Sequence, residues 1–237
     1  MIKKIKVALI GYGRWGKIIE PYIKKYFNIK YIANSKSNLK KIWEDTEVKA
    51  VFIITPIDTH YELACKALLN NKYVFIEKPT AKYSKEISCL KKISEIQSKV
   101  IFTDYTWTFS PTLKKVKLDN YKNLEFVLWR TANREQDLVK YSLLPHVLSW
   151  LFFIAPDINL KKENIKIDVK IGTNLNITCI KKDNKIIWEP HKRKDKHNLK
   201  GSIRFFKKII KGKAESNIDF AIKITHYIEQ FKKYKII

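Results

Sequence analysis

Cysteine is scarce and unpatterned in this 237-residue chain: Cys65, Cys89 and Cys179 lie far apart and are odd in number. They form neither a disulfide framework nor a C-x-x-C metal motif, which excludes a disulfide-stapled scaffold and fits a reducing, cytoplasmic setting. A long apolar run is also missing. The most apolar stretch, residues 143–155, is too short to cross a bilayer and carries Pro145 and His146, so no membrane partner is expected. No leader is expected ahead of the first strand-like run. Arginine is the third scarcity. The formal net charge is +25, yet only five of the 48 basic residues are arginine, the residue preferred for bidentate recognition of bases and phosphates. Lysines occur in nearly every ten-residue block and fill ordinary solvated surface. The sequence therefore argues against a specific nucleic-acid partner, while its positive field favours the approach of anionic small molecules. Glycine is rare too: there are six, and three of them are Gly11, Gly13 and Gly16.

What is present is ample core material, 45% hydrophobic residues, so disorder is not the default and the length suits one full domain with a smaller second one. Residues 7–10 form a short unbroken apolar run, as expected of a strand buried on both faces of a parallel sheet. Directly after it, Gly11, Gly13 and Gly16 have the G-x-G-x-x-G spacing of a dinucleotide-binding turn. Gly11 permits the tight turn, Gly13 lets backbone approach a pyrophosphate, and Gly16 lets the next helix pack on the strand.

Strands and helices then alternate strictly. Helices are predicted over residues 17–26 (with Pro21 inside), 39–44, 58–69 (with Asp58 as N-cap) and 84–97, and strands over 29–33, 50–54, 73–76 and 100–103. This order calls for a doubly wound parallel sheet, whose ligands sit beyond the carboxyl ends of its strands. Residues 11–16, 34–36, 55–56, 77–79 and 104–106 all fall at that edge. An NAD enzyme usually places a carboxylate at the end of the second strand to bond the ribose 2'-hydroxyl. Here Asn34, Ser35 and Lys36 stand there, a group better matched to a 2'-phosphate, so the cofactor is NAD or NADP with a tilt toward NADP.

Beyond residue 118 the pattern changes. Residues 124–129, 165–171, 176–180 and 185–188 read as strands, the last three alternating like an antiparallel sheet. Residues 143–154 read as an apolar helix, 191–200 as a charged loop, and 202–211 and 218–233 as closing helices. The fold class is thus α/β: an N-terminal Rossmann doubly wound parallel sheet over residues 1–118, then a reduced α+β domain with an antiparallel sheet over 119–237. The C-terminal helix is expected to pack back on the first domain. No repeat and no pair of histidines at metal-ligand spacing is present, so no metal is expected. His191, His197 and His226 read as surface residues.

The motifs at the strand ends carry a resemblance. Thr55-Pro56-Ile57-Asp58-Thr59-His60-Tyr61-Glu62, then Ala67-Leu68 and Val74-Phe75-Ile76-Glu77-Lys78-Pro79, resemble the T-P-x-x-x-H-x-E…V-x-x-E-K-P run of the glucose–fructose oxidoreductase / inositol dehydrogenase / MocA (Gfo/Idh/MocA) family. Gly11-Tyr12-Gly13-Arg14-Trp15-Gly16 is similar to the G-Y-G-x-W-G opening of its branch acting on sugars and sugar nucleotides. Asp104-Tyr105-Thr106-Trp107 with Phe109-Ser110-Pro111, Leu144-Pro145-His146, and the ending at Phe205 and Ile209-Ile210-Lys211-Gly212 resemble further family stretches. The resemblance implies an NAD(P)-dependent oxidoreductase that moves hydride between the nicotinamide and a secondary alcohol or ketone of a sugar or nucleotide sugar, in surface-polysaccharide synthesis. It implies that Lys78 and His146 are catalytic. It also implies that Tyr12, Arg14, Trp15, Thr55, Pro56, His60, Glu77, Lys78, Pro79 and Tyr105 join the three glycines and residues 34–36 at the cofactor. His60 reads more as a brace for the helix after Thr55-Pro56 than as a reactive group. A lysine suits the role because hydride transfer needs a proton moved at the reacting oxygen, and enclosure beside other positive charge helps a lysine release its own. A cis Lys78–Pro79 bond would fix its direction.

Two departures from the family pattern matter. Four residues before the histidine the family usually has an aspartate, and here that position is Ser142, preceded by Tyr141; without a carboxylate, His146 is less basic and less well oriented. The second domain is also shorter than the family's, which implies a more open substrate site or one completed in a homo-oligomer. The alternative reading is accordingly a catalytically impaired dinucleotide-binding protein that acts as a regulatory or partner subunit.

Overall fold

The structure, a computed structural model, describes residues 4–130, 141–158, 160, 165–171, 176–190 and 198–230. They divide into two compact units, one of residues 4–104 with Leu199–Thr225, the other beginning at Tyr105 and including residues up to Asn198 and from His226.

The first unit holds five strands: β1 (Lys6–Ile10), β2 (Asn28–Ala33), β3 (Ala50–Ile53), β4 (Tyr73–Glu77) and β5 (Ile101–Asp104). They pair in the order β2-β1-β3-β4-β5 and every neighbour is parallel. The connecting helices α1 (Arg14–Tyr26), α2 (Lys40–Glu44), α3 (His60–Leu69) and α4 (Ser84–Ile96) supply the crossovers that parallel pairing demands. Val7, Ala8, Leu9, Val51, Phe52, Val74 and Phe75 are wholly buried, as unbroken apolar strands covered on both faces must be.

One sheet face is built on aromatics. Phe52, Phe75 and Phe102 stand in register on β3, β4 and β5, with neighbouring ring centroids 4.8 and 5.5 Å apart. Phe206, on α6 (Asn198–Ile210), packs on all three at 5.5 to 6.2 Å, and on Phe27 at 6.1 Å. The predicted charged loop over 191–200 is corrected at its end: α6 begins at Asn198, because Leu199, Ile203 and Phe206 continue one apolar stripe through Gly201. Residues 191–197 lie outside the described residues, as do His191 and His197.

The edge of β5 is covered from far along the chain. The Thr103 N–H donates to Asn217 Oδ1 at 2.9 Å, Asn217 Nδ2 donates to the Thr103 carbonyl at 2.8 Å, and Ser216 Oγ donates to the Ile101 carbonyl at 2.5 Å. These side chains satisfy groups that a neighbouring strand would otherwise claim. The helix α7 (Ile218–Gln230) follows.

In the second unit, the strands β6 (Leu124–Arg130), β7 (Ile165–Ile171), β8 (Ile177–Lys182) and β9 (Lys185–Trp188) pair in the order β7-β6-β8-β9. The sheet is mostly antiparallel, with one correction: β7 runs parallel to β6. The helix α5 (Leu144–Ile154) lies between them in sequence, and a helical crossover returns the chain in the same direction. Glu125 on β6 pairs with Lys166 on β7 at 2.7 Å and Lys181 on β8 at 2.9 Å, one carboxylate bridging both register partners. Asp183 and Asn184, both at positive φ, make the two-residue turn into β9. Trp150 of α5, Trp107 and Trp188 meet with centroids 5.4 to 6.2 Å apart.

Two predictions follow from the first unit's packing and charge. Phe206→Ala removes a wholly buried ring from the aromatic face and lowers unfolding stability by about 3–5 kcal/mol in denaturant titration; a loss under about 1 kcal/mol contradicts the packing. At the amino ends of the strands, Lys30 and Lys6 hold Glu47 down from its ordinary 4.5 to about 2, and Lys30 holds Asp45 down from 3.8 to about 2. A carboxylate with a depressed folded pKa stabilises above its unfolded pKa and loses that contribution as pH falls through the folded one. Lys30→Met therefore lowers Tm most at about pH 6, and its deficit shrinks between pH 4.5 and about 2. A deficit that stays constant over that range contradicts an electrostatic origin.

Candidate functional site

The carboxyl ends of β1 to β4 carry most of the residues that the sequence singles out. At the end of β1 the chain turns into α1 within three residues. Gly11 has φ +100°, and a Cβ there would stand 2.2 Å from the Ile54 carbonyl oxygen, so no side chain fits. Its N–H donates to the Ala33 carbonyl at 2.8 Å, tying the turn to the end of β2. Gly16, within α1, is equally confined: a Cβ would lie 2.1 Å from the Gly11 carbonyl oxygen. Gly13 is different. A Cβ at Gly13 would meet nothing within 4 Å, so the protein's own packing does not require glycine there. Gly13 is the N-cap of α1, offers no side-chain bond to the first amides, and is followed by a first turn without acidic residues. Uncapped amides and the positive end of a 13-residue helix suit this terminus to an anion, with open space in front of Gly13.

The side chains around this turn have separate destinations. Tyr12 folds back along α1, its hydroxyl donating to Glu20 Oε2 at 2.6 Å, while Glu20 Oε1 pairs with Lys24. Arg14 opens the helix and is exposed. Trp15 reaches across to β4, its indole Nε1 donating to Glu77 Oε1 at 2.5 Å. The other carboxylate oxygen, Oε2, accepts the Lys78 N–H at 2.9 Å. Burial pushes the Glu77 carboxyl above its ordinary range, against the pull of the Lys78 ammonium and of these two N–H bonds.

At the end of β2, Asn34, Ser35 and Lys36 are all exposed in a tight turn closed by the Ser37 N–H on the Asn34 carbonyl at 3.1 Å. At the end of β3, Thr59 Oγ1 lies 2.7 Å from Thr55 Oγ1 and 2.8 Å from the Pro56 carbonyl. The predicted N-cap is corrected. Asp58 sits in a 3-10 turn, Ile57–Thr59, before α3 begins at His60, and its carboxylate pairs with Lys82 instead of capping the helix.

His60 is 1% exposed. Its Nδ1 lies 2.9 Å from the Pro79 carbonyl and its Nε2 2.8 Å from the Thr55 carbonyl. The imidazole is pushed below its ordinary 6.5 by burial, against the pull of the two carbonyls that its nitrogens face. It joins the site as a brace between two backbone edges, not through an open face. The Lys78–Pro79 bond is cis, and Thr80 just beyond it bonds Thr103 of β5 through their hydroxyls at 2.6 Å.

Gly11, Gly13, Gly16, Trp15, residues 34–36, Thr55, Pro56, His60, Glu77, Lys78 and Pro79 thus belong to one edge of one sheet. Tyr105 and His146 belong to the second unit. Tyr105 is 1% exposed. His146 lies in the first turn of α5 after Pro145, where its carbonyl accepts Ser149 Oγ at 2.7 Å. Sequence reasoning missed the Trp15–Glu77 bond and the Asn217 clasp, which join residues 62 and 114 positions apart. Among the described residues no group of three or more His, Cys, Asp or Glu side chains is placed to hold a metal, and no helix is long and apolar enough to cross a membrane.

A five-stranded parallel sheet with a glycine turn between its first strand and helix defines a dinucleotide-binding doubly wound domain. The open cradle at Gly13 and the uncapped helix terminus fit a pyrophosphate. Residues 19–105 match the Gfo/Idh/MocA oxidoreductase family, NAD-binding Rossmann fold. An uncharacterized oxidoreductase of Synechocystis sp., sll0816, is 32% identical over 85 residues, 36% of this chain. The matched stretch spans only 23% of that relative's length. Among solved structures, a myo-inositol dehydrogenase from Corynebacterium glutamicum superposes with a TM-score of 0.78 at 12% identity, over 97% of this chain and 96% of that one. GenD2 from gentamicin A biosynthesis, in complex with NAD, superposes with a TM-score of 0.80 at 12% identity, over 97% and 93%. At these identities the likeness establishes the fold.

The three glycines make a direct test. Gly13→Ala folds with an unchanged Tm, because its new methyl group meets no protein atom, yet weakens dinucleotide binding by about tenfold or more. Gly16→Ala lowers Tm, because its methyl would collide with the Gly11 carbonyl. If Gly13→Ala binds dinucleotide as the unaltered protein does, the cradle is not a ligand site.

Proposed function

We propose that this protein is an NAD(P)-dependent oxidoreductase that transfers hydride between a nicotinamide cofactor and a secondary alcohol or ketone of a sugar or nucleotide sugar. The observation that carries the reading is the pairing of an open backbone cradle at Gly13, after β1, with Lys78 at the same edge after β4, the second strand along in the same sheet. The nicotinamide, when bound, supplies the hydride acceptor or donor. The protein's part is binding, orientation and proton movement.

In this account the first amides of α1 bind the pyrophosphate, and Trp15 and Glu77 form one wall of the groove beside it. Glu77 holds the Lys78 backbone N–H, and His60 holds the Pro79 carbonyl, so both sides of Lys78 are anchored. Lys78 Nζ takes the proton from the substrate hydroxyl during oxidation and returns it during reduction. His146 is the second acid–base candidate. The cofactor is NAD or NADP, and the lack of a carboxylate at Asn34, Ser35 and Lys36 favours NADP. Anionic nucleotide sugars are the favoured substrates of a chain with a net charge of +25.

A second reading is supported by Ser142, four residues before His146, the position where the resembled family has a carboxylate to orient the imidazole. On that reading the protein binds dinucleotide without turnover and serves as a regulatory or partner subunit. Assay of nicotinamide absorbance with a panel of nucleotide sugars separates the two. The enzyme reading expects turnover that falls about 10²–10⁴-fold in Lys78→Met while dinucleotide affinity changes less than about threefold. Dinucleotide binding without any absorbance change across the panel favours the partner reading.

A further inference from the structure

We propose that Asn217 is a positioning residue for Lys78, which it fixes through Thr103 and Thr80. The inference rests on the oxidoreductase reading above and deepens it. All four residues belong to the first unit, although Asn217 lies 114 positions beyond Thr103. The β4–β5 ladder ends at the Glu77–Asp104 pair, so Lys78 is the first residue past the sheet. Three side-chain bonds then hold the segment that leads to α4. Glu77 Oε2 accepts the Lys78 N–H at 2.9 Å, His60 Nδ1 lies 2.9 Å from the Pro79 carbonyl, and the Thr80 hydroxyl meets that of Thr103 at 2.6 Å. The third of these ties the segment to β5.

Asn217 stands immediately before α7, its carbonyl accepting the Ala221 N–H at 3.0 Å. An asparagine in that place ordinarily turns its side-chain oxygen onto the first amides of its own helix. This side chain turns to β5 instead. Its Oδ1 accepts the Thr103 N–H at 2.9 Å and its Nδ2 donates to the Thr103 carbonyl at 2.8 Å, while Ser216 Oγ takes the Ile218 N–H at 3.1 Å. A backbone N–H only donates and a carbonyl only accepts, so both ends of the amide are assigned. One planar group thus grips both polar backbone atoms of the one residue whose hydroxyl meets Thr80. Thr103 is β-branched, so fixing its backbone leaves its hydroxyl few directions. Thr103 and Thr80 are both wholly buried, and water does not compete for their bond.

The consequence falls on rate. Proton movement at the substrate oxygen needs the Lys78 ammonium in one place, and a misplacement of about 1 Å costs about 10²-fold in such steps. With Asn217 gone, β5 loses its outer grip at Thr103, and Thr80 loses a fixed partner two residues from the lysine. The glycine turn follows β1, away from this edge, so dinucleotide binding is spared. Lys91 of α4 also pairs with Asp219 of α7 at 2.7 Å. That pair is exposed and screened by water, so it does not replace the buried path.

Amide hydrogen exchange of the full-length protein, read by peptide mass spectrometry, tests this path without any substrate. Asn217→Ala is expected to speed exchange about tenfold or more both at residues 101–104 and at 78–81. Thr103→Val keeps the backbone bonds to Asn217 and loses the hydroxyl, so it speeds 78–81 alone, and Thr103→Ser restores the unaltered rates. Asp219→Ala breaks only the exposed pair with Lys91 and changes neither stretch. With a nucleotide sugar that is turned over, Asn217→Ala lowers kcat about 10–100-fold, while KM and dinucleotide affinity change less than about threefold. If Asn217→Ala speeds 101–104 and leaves 78–81 as they were, Asn217 only covers a sheet edge and the proposal is overturned. An unchanged kcat overturns it too. If Asn217→Ala does not fold, Thr103→Val decides, and unchanged exchange at 78–81 in that variant is equally fatal. If exchange moves as stated but the unaltered protein turns over no nucleotide sugar, the oxidoreductase reading falls and the anchoring of residues 78–81 stands.

Discussion

The whole edge depends on one backbone contact. Inside α1, Gly16 sits so close to the Gly11 carbonyl that a single methyl group would have to occupy a point 2.1 Å from it. That contact sets how near the helix terminus stands to the end of β1 and how its first amides are aimed. It also draws in the end of β2, because the same turn bonds the Ala33 carbonyl. Remove the contact and the first turn of α1, Gly13 and the turn at residues 34–36 would move apart.

The rest of the edge is held by side chains that clasp backbone. His60 spans the Thr55 and Pro79 carbonyls, Asn217 brackets Thr103, and Trp15 crosses to Glu77. Each joins the end of one strand to a neighbouring segment, so groups that must act together are fixed by the sheet and not by mobile loops. Beneath them, Phe52, Phe75, Phe102 and Phe206 form a packed aromatic face on the sheet. A rigid floor of this kind lets a tight turn keep its geometry.

Much of this was legible in the sequence because it is local. The spacing of Gly11, Gly13 and Gly16, the apolar strands and the Glu77-Lys78-Pro79 run each lie within a few residues, and the periodicity of strands and helices dictates the parallel sheet. What was not legible depends on distance or direction. No local signal pairs Trp15 with Glu77 or Asn217 with Thr103. Asp58 has the composition of an N-cap but finds a stronger partner in Lys82. Alternation identified β7 as a strand without giving its direction, which the crossover through α5 decides. The start of α6 was hidden by Gly201, since a glycine in an apolar stripe reads as a break until the stripe is seen packed.

The most direct measurement is a crystal structure of the full chain grown with NADPH. The account predicts the pyrophosphate over Gly13, within hydrogen-bond reach of the first amides of α1, with Lys78 Nζ turned toward the nicotinamide ring and the adenosine ribose against Asn34. A dinucleotide bound elsewhere, or a Lys78 ammonium turned to open solvent with the cofactor in place, would contradict it.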